Sequence, residues 1–175
     1  FRLAYQKAST PLEQARRTIV RSFLGFGSNA HNKRTGFRGY ARLSGTSPAN
    51  DFRNYPQAFE AAIDRFRGVV IENRPAIELI KKYDAPDTLF YLDPPYVKST
   101  RADAMNDYSH EMRDEEHEEL AALLRTLTGM IIVSGYQSAL YDRLFRGWKT
   151  VKRQALADRA LPRIEVLWMN HACAK

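Results

Sequence analysis

The sequence predicts an α/β fold: a mostly parallel sheet with an antiparallel C-terminal strand pair. Two observations carry that prediction. Short apolar runs (Val69-Val70-Ile71, Thr88 to Leu92, Met130 to Val133) alternate with segments of helical periodicity, the order that lays helices across a parallel sheet. Two further strand candidates, Thr150 to Arg153 and Glu165 to Met169, follow one another with no helical pattern between them, as an antiparallel closing pair does.

Taken in order, Thr10-Pro11-Leu12-Glu13 is a helix start, with an N-cap threonine, proline at the first helical position and a glutamate placed to complete a capping box. Leu12, Ala15, Ile19 and Phe23 then recur at helical spacing. Between Gly25 and Gly45 the pattern dissolves into glycine, asparagine, lysine and arginine, which reads as a loop or irregular hairpin. Asn54-Tyr55-Pro56-Gln57 is expected to open a second helix with Phe59, Ala62, Ile63 and Phe66 on its apolar face. The strand Val69 to Ile71 should lead into a helix through Ile77 and Ile80, and the strand Thr88 to Leu92 ends abruptly at Asp93. Asp114, Glu115 and Glu116 suit the positive end of a helix that carries Leu120, Leu123, Leu124 and Leu127 before Gly129 stops it. A short helix is expected from Ser138 to Phe145.

A chain of 175 residues, 44% hydrophobic, is long enough for a real core. The net charge of +7 favours a polyanionic partner. Cys173 is the lone cysteine, which excludes an internal disulfide and a thiolate metal cluster. No apolar run approaches the roughly 20 residues of a membrane span, and together these features read as a soluble cytoplasmic protein. The opening Phe1-Arg2-Leu3-Ala4-Tyr5 reads as the middle of a longer chain. His110 and His117 fall in acidic segments that read as exposed, without metal-ligand spacing.

The chemistry concentrates in Leu89-Phe90-Tyr91-Leu92-Asp93-Pro94-Pro95-Tyr96, where an acid, two prolines and an aromatic follow a buried strand. Ligands in open α/β sheets bind beyond the carboxyl ends of the strands. Two successive prolines fix φ and remove two backbone donors, leaving rigid carbonyls that only accept. An exocyclic amino group on a flat base needs such acceptors, because its lone pair is delocalised into the ring. Hydrogen bonds from its N–H groups to Asp93 and the Pro94 carbonyl would favour a tetrahedral nitrogen, and Tyr96 would stack on a base flipped from the duplex.

This segment resembles motif IV of amino-methyltransferases, and the wider chain resembles the Dam-like class of adenine-specific DNA methyltransferases. Val69 to Arg74 resembles the strand and turn that border the cofactor adenosine; Ile131 to Tyr136 resembles the strand that closes the pocket; Glu165 to Asn170 resembles the terminal strand. The resemblance implies a partial Rossmann-like methyltransferase sheet joined to a helical and loop DNA-recognition segment, with residues 1–67 recognising the target and 68–175 forming the catalytic portion. It further implies methyl transfer from S-adenosylmethionine to N6 of adenine in double-stranded DNA, with no metal and no membrane partner. Asp93, Pro94, Pro95 and Tyr96 become the catalytic group, and Asp93, Asn73 and Arg74 the cofactor contacts, although Pro75 stands where many relatives carry an acid. Asn32, Lys33, Arg34 and Arg38, and after the motif Lys98 and Arg101, are the expected DNA contacts, and His31 could also reach a base edge.

Phe23-Leu24-Gly25-Phe26-Gly27 matches the Phe-x-Gly-x-Gly pattern of a cofactor loop. Such glycines must follow a buried strand, whereas here they follow an amphipathic helix, so the true cofactor motif is expected upstream of Phe1. Two competing readings remain open: a ribosomal-RNA amino-methyltransferase, which would need a strand ending at Leu24, or a DNA-binding fragment without catalysis of its own.

Overall fold

The structure, a computed structural model, describes residues 1–26, 34–39, 47–101, 110–156 and 162–174. Two compact units divide it, Phe1–Ile71 and Glu72–Lys175.

The first unit is built on two helices. Helix α1 (Pro11–Leu24) is capped by Thr10, whose hydroxyl accepts from Glu13 N at 3.2 Å. The expected capping box stays half made. The Glu13 carboxylate turns instead to Arg16 and Arg17, each at 2.7 Å, and these hydrogen bonds hold it down at about 2. Leu12 is 81% exposed, so the apolar stripe covers less of α1 than its spacing suggests. Helix α2 (Pro48–Phe66) begins earlier than expected, because Ser47-Pro48 repeats the hydroxyl-then-proline start seen at Thr10-Pro11. Pro56 therefore lies inside the helix and gives up one backbone hydrogen bond. Phe23 meets Tyr55 edge-on at 4.6 Å and Phe52 at 6.3 Å, joining the two helices through aromatic rings.

The second unit carries the sheet: helix α3 (Ala76–Tyr83), strand β1 (Leu89–Leu92), helix α4 (Asp114–Leu124), strand β2 (Met130–Tyr136), helix α5 (Ala139–Leu144), strand β3 (Lys149–Leu156) and strand β4 (Pro162–Met169). Strand order is β1-β2-β4-β3. The β1–β2 pair is parallel, with Leu92 opposite Val133, while β2–β4 and β3–β4 are antiparallel. The fold is thus α/β, and its sheet is mixed.

This corrects the mostly parallel sheet expected from the sequence. The difference traces to Val69-Val70-Ile71, which forms no strand. Gly68 turns the chain at φ +81°, and Ile71 is 82% exposed beyond it. High β-propensity does not make a strand without a partner to pair with.

The core lies between the sheet and its helices. Ile131 and Val133 of β2 and Val166 and Trp168 of β4 pack with Leu120, Ala121 and Leu124 of α4, Tyr141 of α5, Phe145, and Ile80 of α3. Trp168 receives Tyr141 at 5.1 Å and Phe145 at 5.7 Å. Gly135 makes room for this cluster, since a Cβ there would stand 3.0 Å from the Tyr141 ring. Glu116 caps α4 by accepting from Arg113 N at 2.8 Å, the bond that chiefly lowers its pKa. His117 is a second correction: it is buried, 1% exposed, because it shares the inward face of α4 with Leu120, Ala121 and Leu124.

Candidate active site

Strand β1 delivers Asp93 to the carboxyl end of the parallel pair, and burial alternates through the residues that follow. Asp93 is exposed, Pro94 is buried, Pro95 and Tyr96 are half-buried, and Val97 is 3% exposed within the core cluster. Pro94 and Val97 therefore anchor the loop, while the acid and the aromatic between and beside them stay accessible. A 3-10 turn over Lys98–Thr100 continues the chain, closed by Thr100, whose hydroxyl donates to the Val97 carbonyl at 2.7 Å.

Asp93 is held from the next strand. Ser134 of β2 directs its hydroxyl at Asp93 Oδ1, 2.9 Å away, and lies 3.1 Å from the Leu92 carbonyl. Among the described residues no group donates to the Pro94 carbonyl. Tyr96 meets Tyr136, the last residue of β2, edge-on at 4.6 Å. Beyond Tyr136 opens a cleft of about 650 Å³, lined by Ser99, Thr100, Gln137, Ser138, Gln154 and Ile164 among others. Its size falls in the range of ordinary ligand pockets. Its walls carry hydroxyls and carboxamides beside an aromatic and an aliphatic surface. Lys152 donates to Gln137 Oε1 at 3.0 Å and Gln137 Nε2 donates to Asp142 at 3.2 Å, which orients that carboxamide.

The other residues singled out from the sequence fall as follows. Asn73 and Arg74 are exposed in the segment before α3. Arg74 lies 3.6 Å from Glu72, which also accepts from Lys82 at 3.2 Å and Tyr83 at 3.1 Å. Among the described residues no hydrogen bond or ion pair joins Asn73 or Arg74 to Asp93. Lys98 is exposed on the 3-10 turn. Arg101 is instead clasped by Glu111 through two bonds, 3.0 and 2.5 Å, with both side chains largely buried. Arg34 is exposed, and Arg38 pairs with Asp51 at 2.6 Å. His31, Asn32 and Lys33 lie outside the described residues. Among the described residues no three His, Cys, Asp or Glu side chains gather as a metal site, and no helix is long and apolar enough to cross a membrane.

Two site residues escaped the sequence reading. Ser134 lay within the segment Ile131 to Tyr136 that resembles the pocket-closing strand, with no role of its own. Gln154 sits on β3 and reaches the cleft through the β3–β4 register, opposite Ile164, a pairing that local sequence does not encode.

Chain direction matters to the choice of class. Helix α1 runs through Leu24, so a helix and not a strand precedes Gly25, whose backbone bridges to Phe37. The glycine pattern at residues 23–27 is therefore not the loop after a strand that a cofactor site requires. The loop Asp93-Pro94-Pro95-Tyr96 stands at the end of a parallel strand, with the Tyr136 ring beside it. Residues 5–157 match the D12 class N6 adenine-specific DNA methyltransferase family, and the chain belongs to that family. The family acts on adenine in DNA, and as a methyltransferase family it implies S-adenosylmethionine as methyl donor. No curated protein matches the chain.

Proposed function

We propose that this chain methylates N6 of an adenine flipped out of double-stranded DNA, with Asp93, Pro94 and Tyr96 performing the work at the base. The observation that carries this reading is the exposed Asp93 on a loop anchored by buried Pro94 and Val97, with the Pro94 carbonyl accepting from no group among the described residues. Asp93 and the Pro94 carbonyl accept the two amino protons and draw the nitrogen toward a tetrahedral geometry, which localises its lone pair. Tyr96 stacks on the ring, with Tyr136 edge-on beside it. Pro95 keeps the loop rigid, so little reorganisation accompanies the reaction.

The charge chemistry of the site fits the donor at Asp93, since an exposed carboxylate suits a sulfonium cation. Arg74, a cation already paired with Glu72, fits it poorly, and Asn73 remains the better candidate of the two. When bound, S-adenosylmethionine supplies an electrophilic methyl group. Asp93 would hold the amino proton that is lost as the nitrogen gains the methyl, while the sulfur–methyl bond breaks and the donor departs as S-adenosylhomocysteine.

For DNA, we assign residues 1–67 to target recognition and 68–175 to catalysis in a Rossmann-like arrangement. The exposure of Arg34 and Lys98 supports phosphate contacts there. Arg38 and Arg101 reach DNA only by leaving Asp51 and Glu111. Asn32 and Lys33 complete the proposed set. The helical course of α1 through Leu24 speaks against the ribosomal-RNA alternative, which needs a strand there.

Transfer of tritiated methyl from S-adenosylmethionine to unmethylated DNA tests this reading in the full-length protein. Asp93→Ala should abolish transfer while circular dichroism and melting stay those of the parent. Methylation near the parent rate by that variant would overturn the mechanism.

A further inference from the structure

The apolar strand β2 carries one residue that its packing does not explain. Met130, Ile131, Ile132 and Val133 are followed by Ser134, which is only 6% exposed. A buried hydroxyl is costly unless it is hydrogen-bonded. Ser134 has two acceptors within reach, the Leu92 carbonyl at 3.1 Å and Asp93 Oδ1 at 2.9 Å. A hydroxyl has one proton to give, and an ionised carboxylate is the stronger acceptor.

The placement is rigid on both sides. Leu92 pairs with Val133 in the parallel register, which sets Ser134 beside Asp93, and Ser134 itself pairs with Leu167 of β4. Gly135, next along, packs against Tyr141 with no room for a Cβ. Asp93 has no such frame: it is exposed and follows the last residue of β1. Left alone, its carboxylate would sample several rotamers.

We propose that Ser134 is a positioning residue for methyl transfer, fixing the Asp93 carboxylate through Oδ1 and leaving Oδ2 to accept from the target amino group. The assignment rests on the role given to Asp93 above. Ser134 touches neither base nor donor; it acts through Asp93. Its contribution therefore belongs to the chemical step and not to binding.

Single-turnover and steady-state methylation by the full-length protein test this. Ser134→Ala should lower kcat about 10- to 100-fold, the scale on which misplacement of a catalytic group acts, with KM for DNA and for S-adenosylmethionine changed less than about twofold. Ser134→Cys, close in volume but a weak donor, should fall in the same way and stands in if the alanine variant folds poorly. Ser134→Thr, which keeps the hydroxyl, should recover most of the rate. In an Asp93→Asn background, Ser134→Ala should add no further loss, because residues acting through one another are not additive. A hydroxyl serving only the Leu92 carbonyl would lower the melting temperature and leave kcat intact, and that result overturns the proposal. Rate loss on Asp93→Asn with none on Ser134→Ala or Ser134→Cys overturns the Ser134 assignment alone. No loss on any of them overturns the reading of Asp93 beneath it.

Discussion

The Tyr141 hydroxyl stands 3.1 Å from Nδ1 of His117, and both side chains are buried in the core of the second unit. Burial is the main force on each group. It lowers the His117 pKa from 6.5, helped by Arg101 and opposed by Asp114 and Glu116, and it raises that of Tyr141, to which Asp93 adds. His117 Nε2 has no partner among the described residues, so a proton added to this ring would place a charge in the core.

The pH consequence follows from the sign of that shift. A histidine whose folded pKa lies below its unfolded value of 6.5 contributes stability that is complete above 6.5 and is lost as pH falls toward the folded value. The melting temperature should therefore decline as pH falls below 6.5, and His117→Gln should flatten that decline while lowering the plateau. Parallel curves for parent and variant would show that His117 does not carry the acid sensitivity.

His117 also marks how far sequence could be read. Its acidic neighbours suggested an exposed position, yet it stands three, four and seven residues before Leu120, Ala121 and Leu124, the spacing of one helix face. Periodicity was the better guide, and composition misled. The strands β1 to β4 were legible because each is a run of apolar or alternating residues bounded by turn formers. Val69 to Ile71 has the same composition and no partner, and pairing is a tertiary fact that propensity does not contain. Within the site, Asp93 to Tyr96 was legible because residue type and order alone constrain the backbone. The Ser134 bond to Asp93 was not, since it depends on the register of two strands and joins residues 41 apart in the chain.

The start of β2 is held by two side chains distant in sequence, and one substitution should expose this. Asn170 accepts from Ile131 N at 3.0 Å and donates to the Gly129 carbonyl at 2.9 Å. Asp84 accepts from Gly129 N at 2.9 Å and from Thr128 N at 3.0 Å. Asn170→Ala leaves two backbone groups without partners and should cost about 1–3 kcal/mol in denaturant unfolding. Asn170→Asp should do no better, because it turns the Nδ2 donor into an oxygen facing the Gly129 carbonyl. An aspartate variant as stable as the parent would mean that the bond to Gly129 contributes nothing.

At the same junction, Gly129→Ala should be destabilising for a steric reason. A Cβ there would meet the Thr88 carbonyl at 3.0 Å and the Ala85 carbonyl at 3.1 Å, and backbone oxygens cannot swing aside as a side chain can. We expect a loss of about 1–3 kcal/mol, read by the same unfolding measurement. A variant of unchanged midpoint would show that the β1–β2 junction yields at little cost.

Arg101 separates a structural cation from a DNA-binding one. Its two bonds to Glu111 are made with both side chains largely buried, and a charge so engaged has little left for phosphate. Arg101→Lys keeps the charge but loses the planar two-bond match to the carboxylate, so it should lower the melting temperature. Lys98→Ala, on the exposed turn, should leave melting unchanged and reduce the slope of log K against log salt by about one phosphate contact. A change of slope for Arg101→Ala equal to that for Lys98→Ala would show that Arg101 leaves Glu111 for DNA.

Tyr96 gives the sharpest separation between holding the base and reacting with it. Its ring lies edge-on to Tyr136 at 4.6 Å, and the residue next to it, Val97, anchors the backbone in the core. Removing the ring should therefore disturb the pocket more than the loop. Stacking of a base on an aromatic contributes about 1–3 kcal/mol, so Tyr96→Ala should weaken capture of the flipped adenine by roughly 5- to 150-fold. Tyr96→Phe keeps the face and should stay close to the parent. The fluorescence of 2-aminopurine at the target position reports flipping independently of transfer. It should drop for Tyr96→Ala and persist for Asp93→Ala, which keeps the stacking ring but loses the acceptor for the amino group. If Tyr96→Phe were as impaired as Tyr96→Ala, the hydroxyl and not the ring face would be the working part of this residue.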